Sequence, residues 1–143
     1  MACVRPDGPP IGLLLATTSK AVGRAFNDAL AVQGGSIPIW LILNALKGER
    51  PRSQLELARA VGIEGPTMTR HLDGLERAGL VERQRDPVDR RAVQVQLTRA
   101  GHTLHGRLLK AVIAFNRQLR TGVSNDDIET LRRVLGRLRE NVA

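Results

Sequence analysis

The stretch that decides the fold is SQLELARAVGIEGPTMTRHLDGLERAGL, residues 53–80. Ser53 and Glu56 have the spacing of a capping box, which predicts that a short helix begins here and ends at the following glycine. Pro66 suits the first turn of a second helix, because its missing N–H group costs nothing there, and Gly79 ends that helix. Two short helices joined by a tight, glycine-containing turn predict a helix-turn-helix.

A β-hairpin is predicted directly after these two helices. One extended run begins at Leu80, and in the other, Val93–Leu97, apolar residues alternate with glutamine as in a half-buried strand. The connection between them is rich in arginine and aspartate, namely Arg83, Arg85, Asp86, Asp89, Arg90 and Arg91. Charged loops discourage strand aggregation, but this does not account for so many arginines. A strand pair in this position is a wing, and arginines at its tip suit the narrow minor groove of A·T-rich DNA.

Helical periodicity continues on both sides of this segment. Apolar residues recur at helical spacings over residues 11–32, and Ser36 then caps a second helix. Residues 48–53 are predicted to form a loop. After the hairpin, Thr98 begins a long helix, and Ser124 begins the last one with a second capping-box-like pattern.

The chain is therefore predicted to be a single domain, residues 1–143, of mainly α class with a small β-hairpin wing. A winged helix-turn-helix lobe is expected over residues 36–98, flanked by helices within residues 11–32 and 99–143. These flanking helices have apolar faces and little else to cover, so we expect them to be dimerisation helices. A two-fold partner would place the two recognition helices about 34–36 Å apart, one turn of DNA. The alternative is that they cover their own lobe in a monomer.

The overall charge favours a polyanionic partner. The chain has 22 Lys and Arg against 14 Asp and Glu, a net charge of +8. Aromatic residues make up only 2% of the chain, which disfavours surfaces that stack single-stranded bases. No apolar run has the length of a membrane span, so we expect no membrane partner and no signal peptide. The single cysteine, Cys3, cannot form an internal disulfide, which suits a cytoplasmic protein.

The second helix of the helix-turn-helix has two distinct faces. Its apolar stripe is predicted to face inward and consists of Met68, Leu72 and Leu75. The opposite side projects Pro66, Thr67, Arg70, His71 and Gly74. Arg70 can donate two hydrogen bonds to guanine O6 and N7, worth about 1–3 kcal/mol of discrimination. Protonation of His71 would strengthen a phosphate contact at lower pH. The plain alternative is that both side chains are simply solvated.

Residues 53–101 resemble the MarR family of winged-helix regulators. The segments LERAGLVER, DPVDRRA and LTRAG stand in the order and spacing that this family has. The resemblance implies an obligate, triangular homodimer with two winged helix-turn-helix lobes. It also implies that double-stranded DNA is the partner.

By the same resemblance, three residues match the family's major-groove readers: Pro66, Thr67 and Arg70. Ser53 and Gln54 match positions that contact the DNA backbone at the start of the preceding helix.

Wing residues are also matched. Arg90 corresponds to the arginine that enters the minor groove, and Asp89 corresponds to its orienting partner. Arg91 is expected to support the wing internally.

Members of this family commonly bind small anionic or phenolic effectors in a cleft between the dimer helices and the lobe. By the position of their elements, Lys20, Arg24 and Trp40 are expected to lie near such a cleft. The alternatives are a solvated helix face for the two cations and a core position for Trp40. Thiol sensing by Cys3 is disfavoured, because the residue precedes the first helix and has no base beside it.

No cofactor or metal site is expected, since no acid or cysteine joins His102 and His105 nearby. The chain has no G-x-S-x-G, phosphate-binding glycine loop or H-E-x-x-H motif, so we expect that it is not an enzyme.

The preferred function is a homodimeric, sequence-specific regulator of transcription, a repressor bound to a pseudo-palindromic operator and released by a small effector. Two alternatives are an architectural DNA-binding protein with little sequence preference, and a module that docks an acidic protein.

Overall fold

The computed structural model describes residues 8–48 and 52–143. Over these ranges the elements follow one another as α1 (Ile11–Val32), α2 (Ile37–Leu46), β1 (Arg52–Ser53), α3 (Gln54–Val61), α4 (Gly65–Arg77), β2 (Val81–Arg85), β3 (Val93–Leu97), α5 (Arg99–Leu119) and α6 (Asn125–Val142). The predicted fold class, mainly α with a small antiparallel wing, is confirmed. The chain divides into two compact units, with the boundary between Val112 and Ile113 inside α5.

The predicted helix starts depend on serine caps. Ser36 Oγ accepts a hydrogen bond from the N–H of Ile39 at 3.3 Å, so α2 begins where the sequence predicts. Ser53 and Ser124 cap α3 and α6 in the same way, each with a bond of 3.1 Å to the N–H three residues later. These bonds satisfy N–H groups that the first turn of a helix leaves without a partner.

The small sheet has the order β1-β3-β2, and both pairings are antiparallel. Arg52 lies opposite Val95, so residues 52 and 53 form a third strand rather than part of the predicted loop. The loop prediction was wrong here because a strand of two residues shows no alternation. Its pairing with β3 is a long-range contact that local patterns do not encode.

The core of the first unit lies between the helix-turn-helix, α2, the sheet and the first turns of α5. Its fully buried side chains, at most 1% exposed, are Leu30, Ile42, Leu43, Leu57, Met68, Leu72, Val81, Val95 and Leu108. Burying each large aliphatic side chain stabilises the fold by about 1.5–3 kcal/mol. The predicted inward stripe of α4 is confirmed, since Met68, Leu72 and Leu75 are all buried. This anchors α4 with its opposite face toward solvent.

The second unit, Ile113–Ala143, contains the end of α5 and the whole of α6. No residue of α6 is buried within this chain. Apolar side chains that remain exposed on α6 include Leu131, Val134 and Leu135. The turn between the helices is held by a hydrogen bond of 2.9 Å from Arg120 Nη2 to Asn125 Oδ1.

Apolar side chains are also exposed on the first turns of α1, at Ile11, Leu13, Leu14 and Leu15. Over the described residues, no single helix has both the length and the apolar character of a membrane span. The pair α1 and α2 passes that test only when combined, and it is bent by 69° at the break between the two helices.

Candidate nucleic-acid interface

The N-terminus of α4 is exposed to solvent. Its N-cap residue, Glu64, makes no side-chain capping hydrogen bond, and Pro66 stands in the first turn. A helix N-terminus presents backbone N–H groups and the positive end of the helix dipole, which together favour an anion such as a phosphate. The first turn of α4 therefore has the chemistry of a phosphate contact.

The outward side of α4 displays the residues that the sequence singled out. Pro66 and Arg70 are exposed, and Thr67 and His71 are half-buried. Residues four positions apart on a helix are neighbours, so these four side chains form one continuous strip. The strip offers a guanidinium with five N–H donors, a hydroxyl and an imidazole.

The start of α3 is tied to the first turn of α4 through a residue that the sequence did not indicate. Gln54 Nε2 donates to Thr69 Oγ1 at 2.7 Å, and Thr69 Oγ1 donates in turn to the carbonyl of Gly65 at 3.1 Å. Threonine side chains in helices often donate to the carbonyl four residues earlier, as Thr69 does here. Its contact with Gln54 has no sequence signal, because it joins two helices.

The wing tip is an ordered turn built around Asp86. Its carboxylate accepts hydrogen bonds from the N–H groups of Val88 at 2.8 Å and Asp89 at 3.1 Å, and from Gln94 Nε2 at 3.2 Å. The bond from Val88, followed by that from Asp89, lowers the pKa of Asp86. Asp86 is therefore a structural residue of the turn, whereas the sequence suggested only a charge.

Arg90 is exposed at this tip. The carboxylate of Asp89 accepts a hydrogen bond of 3.1 Å from the N–H of Arg91. In this structure Asp89 thus shapes the turn that presents Arg90.

A groove of about 780 Å³ lies between the wing tip and the helix-turn-helix. Its lining includes Ser53, Gln54 and Asp89, so three of the predicted site residues share one surface. Arg91 also lines this groove, on the side of the wing that faces α3 and α4. The fold therefore brings the predicted positions from α3 and the wing together.

Arg83 does not belong to the charged tip with which the sequence grouped it. Its Nη2 lies 2.5 Å from Asp73 Oδ1 and 3.2 Å from Glu76 Oε1, and its side chain is only 18% exposed. Its N–H also donates to Glu76 Oε2 at 3.1 Å. The hydrogen bond from Arg83 lowers the pKa of Glu76, and the bond to Glu76 raises the pKa of Arg83. Interpreting Arg83 as a tip arginine was wrong, because the alternation of β2 turns it inward toward α4.

The residues proposed for effector binding occupy two different environments. Lys20 and Arg24 are exposed on α1, one turn apart. Trp40 is 8% exposed and belongs to the core. Its ring stacks on that of His105, with centroids 5.2 Å apart and planes inclined by 21°.

His105 connects α5 to α2. Its Nε2 lies 3.1 Å from Asn44 Oδ1, and the residue is 4% exposed. Burial, together with the positive charge of Lys47 and the nearby His102, lowers the pKa of His105. His102 Nδ1 lies 3.3 Å from Lys47 Nζ.

Within residues 8–48 and 52–143, no three His, Cys, Asp or Glu side chains form a group that could hold a metal ion. Cys3 lies outside the described residues.

Comparison with known proteins gives one consistent result. A sequence model of the MarR family matches residues 38–92. The transcriptional repressor CouR, solved with a 23-mer DNA duplex, is 27% identical, with a TM-score of 0.84 over 91% of this chain and 92% of that one. The PcaV transcriptional regulator from Streptomyces coelicolor, solved with its natural ligand, is 25% identical, with a TM-score of 0.84 and full coverage of both chains.

A probable transcriptional regulator from Pseudomonas aeruginosa is 30% identical, with a TM-score of 0.80 over 90% of this chain and 96% of that one. These relatives are regulators of transcription, a class distinct from enzymes. The fold agrees with that of these structures, and the chain belongs to the MarR family of DNA-binding, winged helix-turn-helix transcriptional regulators.

Proposed function

We propose that this chain acts as a homodimer that binds a pseudo-palindromic operator sequence-specifically and represses transcription. One observation carries the proposal: α4 is anchored by three buried residues and presents Arg70 beside an open helix N-terminus. An anchored helix can hold a base-reading side chain in a defined position, which is the requirement for sequence readout.

Within the major groove, Arg70 is the proposed base reader. Its guanidinium matches the two acceptors of a guanine, O6 and N7, in the groove edge. Pro66 and Thr67, which precede it on the same side of α4, would contact a base edge or a thymine methyl group. His71, one position further along, would contact a phosphate.

Arg90 is the proposed minor-groove contact, presented by the turn that Asp89 helps to shape. The potential of a narrow A·T-rich minor groove is strongly negative, so an exposed arginine at a wing tip is attracted there. Ser53 and Gln54 are proposed to contact the DNA backbone from the start of α3. Both line the groove between α3 and the wing, which supports their placement on the same DNA-facing side.

Dimerisation would cover the apolar side chains that this chain leaves exposed. Ile11 and Leu13 of α1 are more than half exposed, and Leu131 on α6 is 49% exposed. Such side chains on terminal helices are the composition expected of a homodimer interface. A two-fold dimer would also match a palindromic operator, because each lobe then reads one half-site.

A small anionic effector is proposed to control binding, as the PcaV relative was solved with its natural ligand. Lys20 and Arg24 are exposed cations one turn apart, suited to a carboxylate or phenolate. An effector that binds more tightly to one spacing of the two lobes would shift the population able to span both half-sites. Trp40 is the single tryptophan of the chain, so a change of its emission on addition of aromatic carboxylates would test whether such compounds bind.

The decisive experiment is the selection of bound fragments from genomic DNA, followed by titration of the best duplex and a scrambled one at several salt concentrations. Specific binding predicts a clear preference for the selected duplex. Arg70→Ala should reduce that preference by about 1–3 kcal/mol and relax it at one base pair per half-site. Equal affinity for both duplexes would favour an architectural protein. Failure to bind any duplex at low salt would instead favour docking to an acidic protein.

A further inference from the structure

Arg83 is held by two carboxylates of the recognition helix. Asp73 and Glu76 lie three residues apart on α4, and both reach the same guanidinium nitrogen from one side. Glu76 also accepts the backbone N–H of Arg83, so this carboxylate bonds to both the side chain and the main chain of β2. A charged network therefore joins the wing directly to α4.

We propose that Arg83 is a positioning residue for DNA binding, which fixes the orientation of the wing relative to α4 through Asp73 and Glu76. The inference rests on the proposed function, in which α4 and the wing tip contact DNA together. Arg83 itself touches no DNA in this proposal. Arg83 contributes by holding the wing in place relative to α4 before DNA binds. The wing tip and α4 can then enter adjacent grooves without the wing losing further conformational freedom on binding.

The geometry favours a positioning role. Arg83 stands opposite Val95 in the ladder, with the buried Val81 two positions before it on β2. Sliding or tilting β2 against α4 would break the bonds of both carboxylates to its side chain and the bond to its backbone at once. Charge-assisted hydrogen bonds are about twice as strong as neutral ones, and the partial burial of Arg83 reduces their screening by solvent.

Neutralising either carboxylate tests this inference, because the direction of the change in operator affinity distinguishes an effect of charge from an effect of positioning. A negative charge in a DNA-binding lobe weakens its attraction to phosphate, so neutralising a carboxylate should by charge alone strengthen DNA binding. Loss of wing positioning predicts the opposite result for the selected operator. Charge and positioning therefore predict changes of opposite direction for the same substitution.

The experiment compares Asp73→Asn and Glu76→Gln with a matched control, Glu82→Gln. Glu82 lies on β2 and also has an exposed carboxylate, but this carboxylate accepts its hydrogen bond from Gln96 Nε2 within the wing. We expect Asp73→Asn and Glu76→Gln to weaken operator binding about fivefold or more, while binding to scrambled duplex is unchanged or tighter. The control should leave operator binding unchanged or make it tighter. Operator binding that tightens in all three variants would overturn the inference.

A second measurement separates positioning from a general loss of stability. Arg90→Ala is made in the wild-type background and in the Glu76→Gln background, with thermal unfolding recorded for every variant. If the wing is mispositioned in Glu76→Gln, then Arg90→Ala should reduce operator affinity much less in the Glu76→Gln background than in the wild type. Equal costs in the two backgrounds would overturn the inference. If Arg90→Ala has no effect even in the wild type, the proposed wing contact itself fails, which is a different outcome.

Arg83 is tested directly by Arg83→Lys and Arg83→Gln. Lysine keeps the charge but replaces the rigid, planar guanidinium, whose Nη2 contacts both carboxylates, with an ammonium group on a flexible stem. We therefore expect Arg83→Lys to lose most of the operator preference even though the net charge is unchanged. Full operator affinity in Arg83→Lys would show that only the charge of Arg83 matters. Should Arg83→Gln fail to fold, the lysine variant still decides the question.

Discussion

The substitution Gly101→Ala tests how closely the start of α5 approaches the wing. Gly101 is buried, and a methyl group on its Cα would collide with the carbonyl oxygen of Leu80 and approach Leu97 Cδ2 to 3.2 Å. The Leu80 carbonyl cannot move freely, because it accepts the N–H of Thr98 at 3.1 Å. Gly106 provides a matched control on the same helix, since a Cβ there meets nothing within 4 Å.

The expected magnitude follows from these contacts. Overpacking against backbone costs about 1–3 kcal/mol, and weakening the Thr98 bond adds about 0.5–1.5 kcal/mol. Replacing a helical glycine by alanine returns about 0.5–1 kcal/mol. Gly101→Ala should therefore lower the free energy of unfolding by about 0.5–4 kcal/mol, whereas Gly106→Ala should raise it by about 0.5–1 kcal/mol.

Urea unfolding monitored by circular dichroism measures both variants against the wild type. The two substitutions are chemically identical and lie on one helix, so their difference isolates the collision at Leu80. A Gly101→Ala variant as stable as Gly106→Ala would refute the close approach between α5 and the wing.

Three further predictions concern the wing, the buried histidine and the proposed dimer. Arg90→Ala should weaken operator binding most on duplexes with A·T-rich flanks; equal losses on G·C-rich flanks would argue against a minor-groove contact. The pKa of His105 is lowered by burial, so its neutral form is favoured in the fold. Its contribution to stability is fully present above the ordinary histidine pKa of about 6.5 and is lost as pH falls toward the lower folded pKa. Thermal unfolding between pH 5 and about 7.5 should show this slope, and His105→Gln should flatten it; an unchanged slope would assign the effect to another group. Leu131→Glu should shift the mass measured by light scattering from dimer to monomer, while Thr130→Glu, a neighbouring exposed position, should not.

Local signals in the sequence were enough to predict most of the elements. The caps at Ser36, Ser53 and Ser124 depend on atoms within three residues, and the inward stripe of α4 repeats at helical spacing. The order of the winged helix-turn-helix was predictable for the same reason, since its helices and the two strands of its hairpin each have a pattern within a few residues. The outward residues of α4 follow from its single buried face, whereas Ser53, Gln54, Asp89 and Arg90 were assigned through the family resemblance.

Only the tertiary structure decided which distant residues meet. The pairing of Arg52 with Val95, the link from Gln54 to Thr69, and the stacking of Trp40 on His105 each join different elements. Arg83 shows the consequence most clearly: its sequence neighbours suggest a charged tip, whereas the pleat of β2 turns it toward Asp73 and Glu76. Charge and periodicity are properties of a residue and its neighbours, but a partner across the fold depends on how the packed elements face one another. For that reason the sequence alone predicts where the DNA-facing parts begin and end, and the packing determines what holds them together.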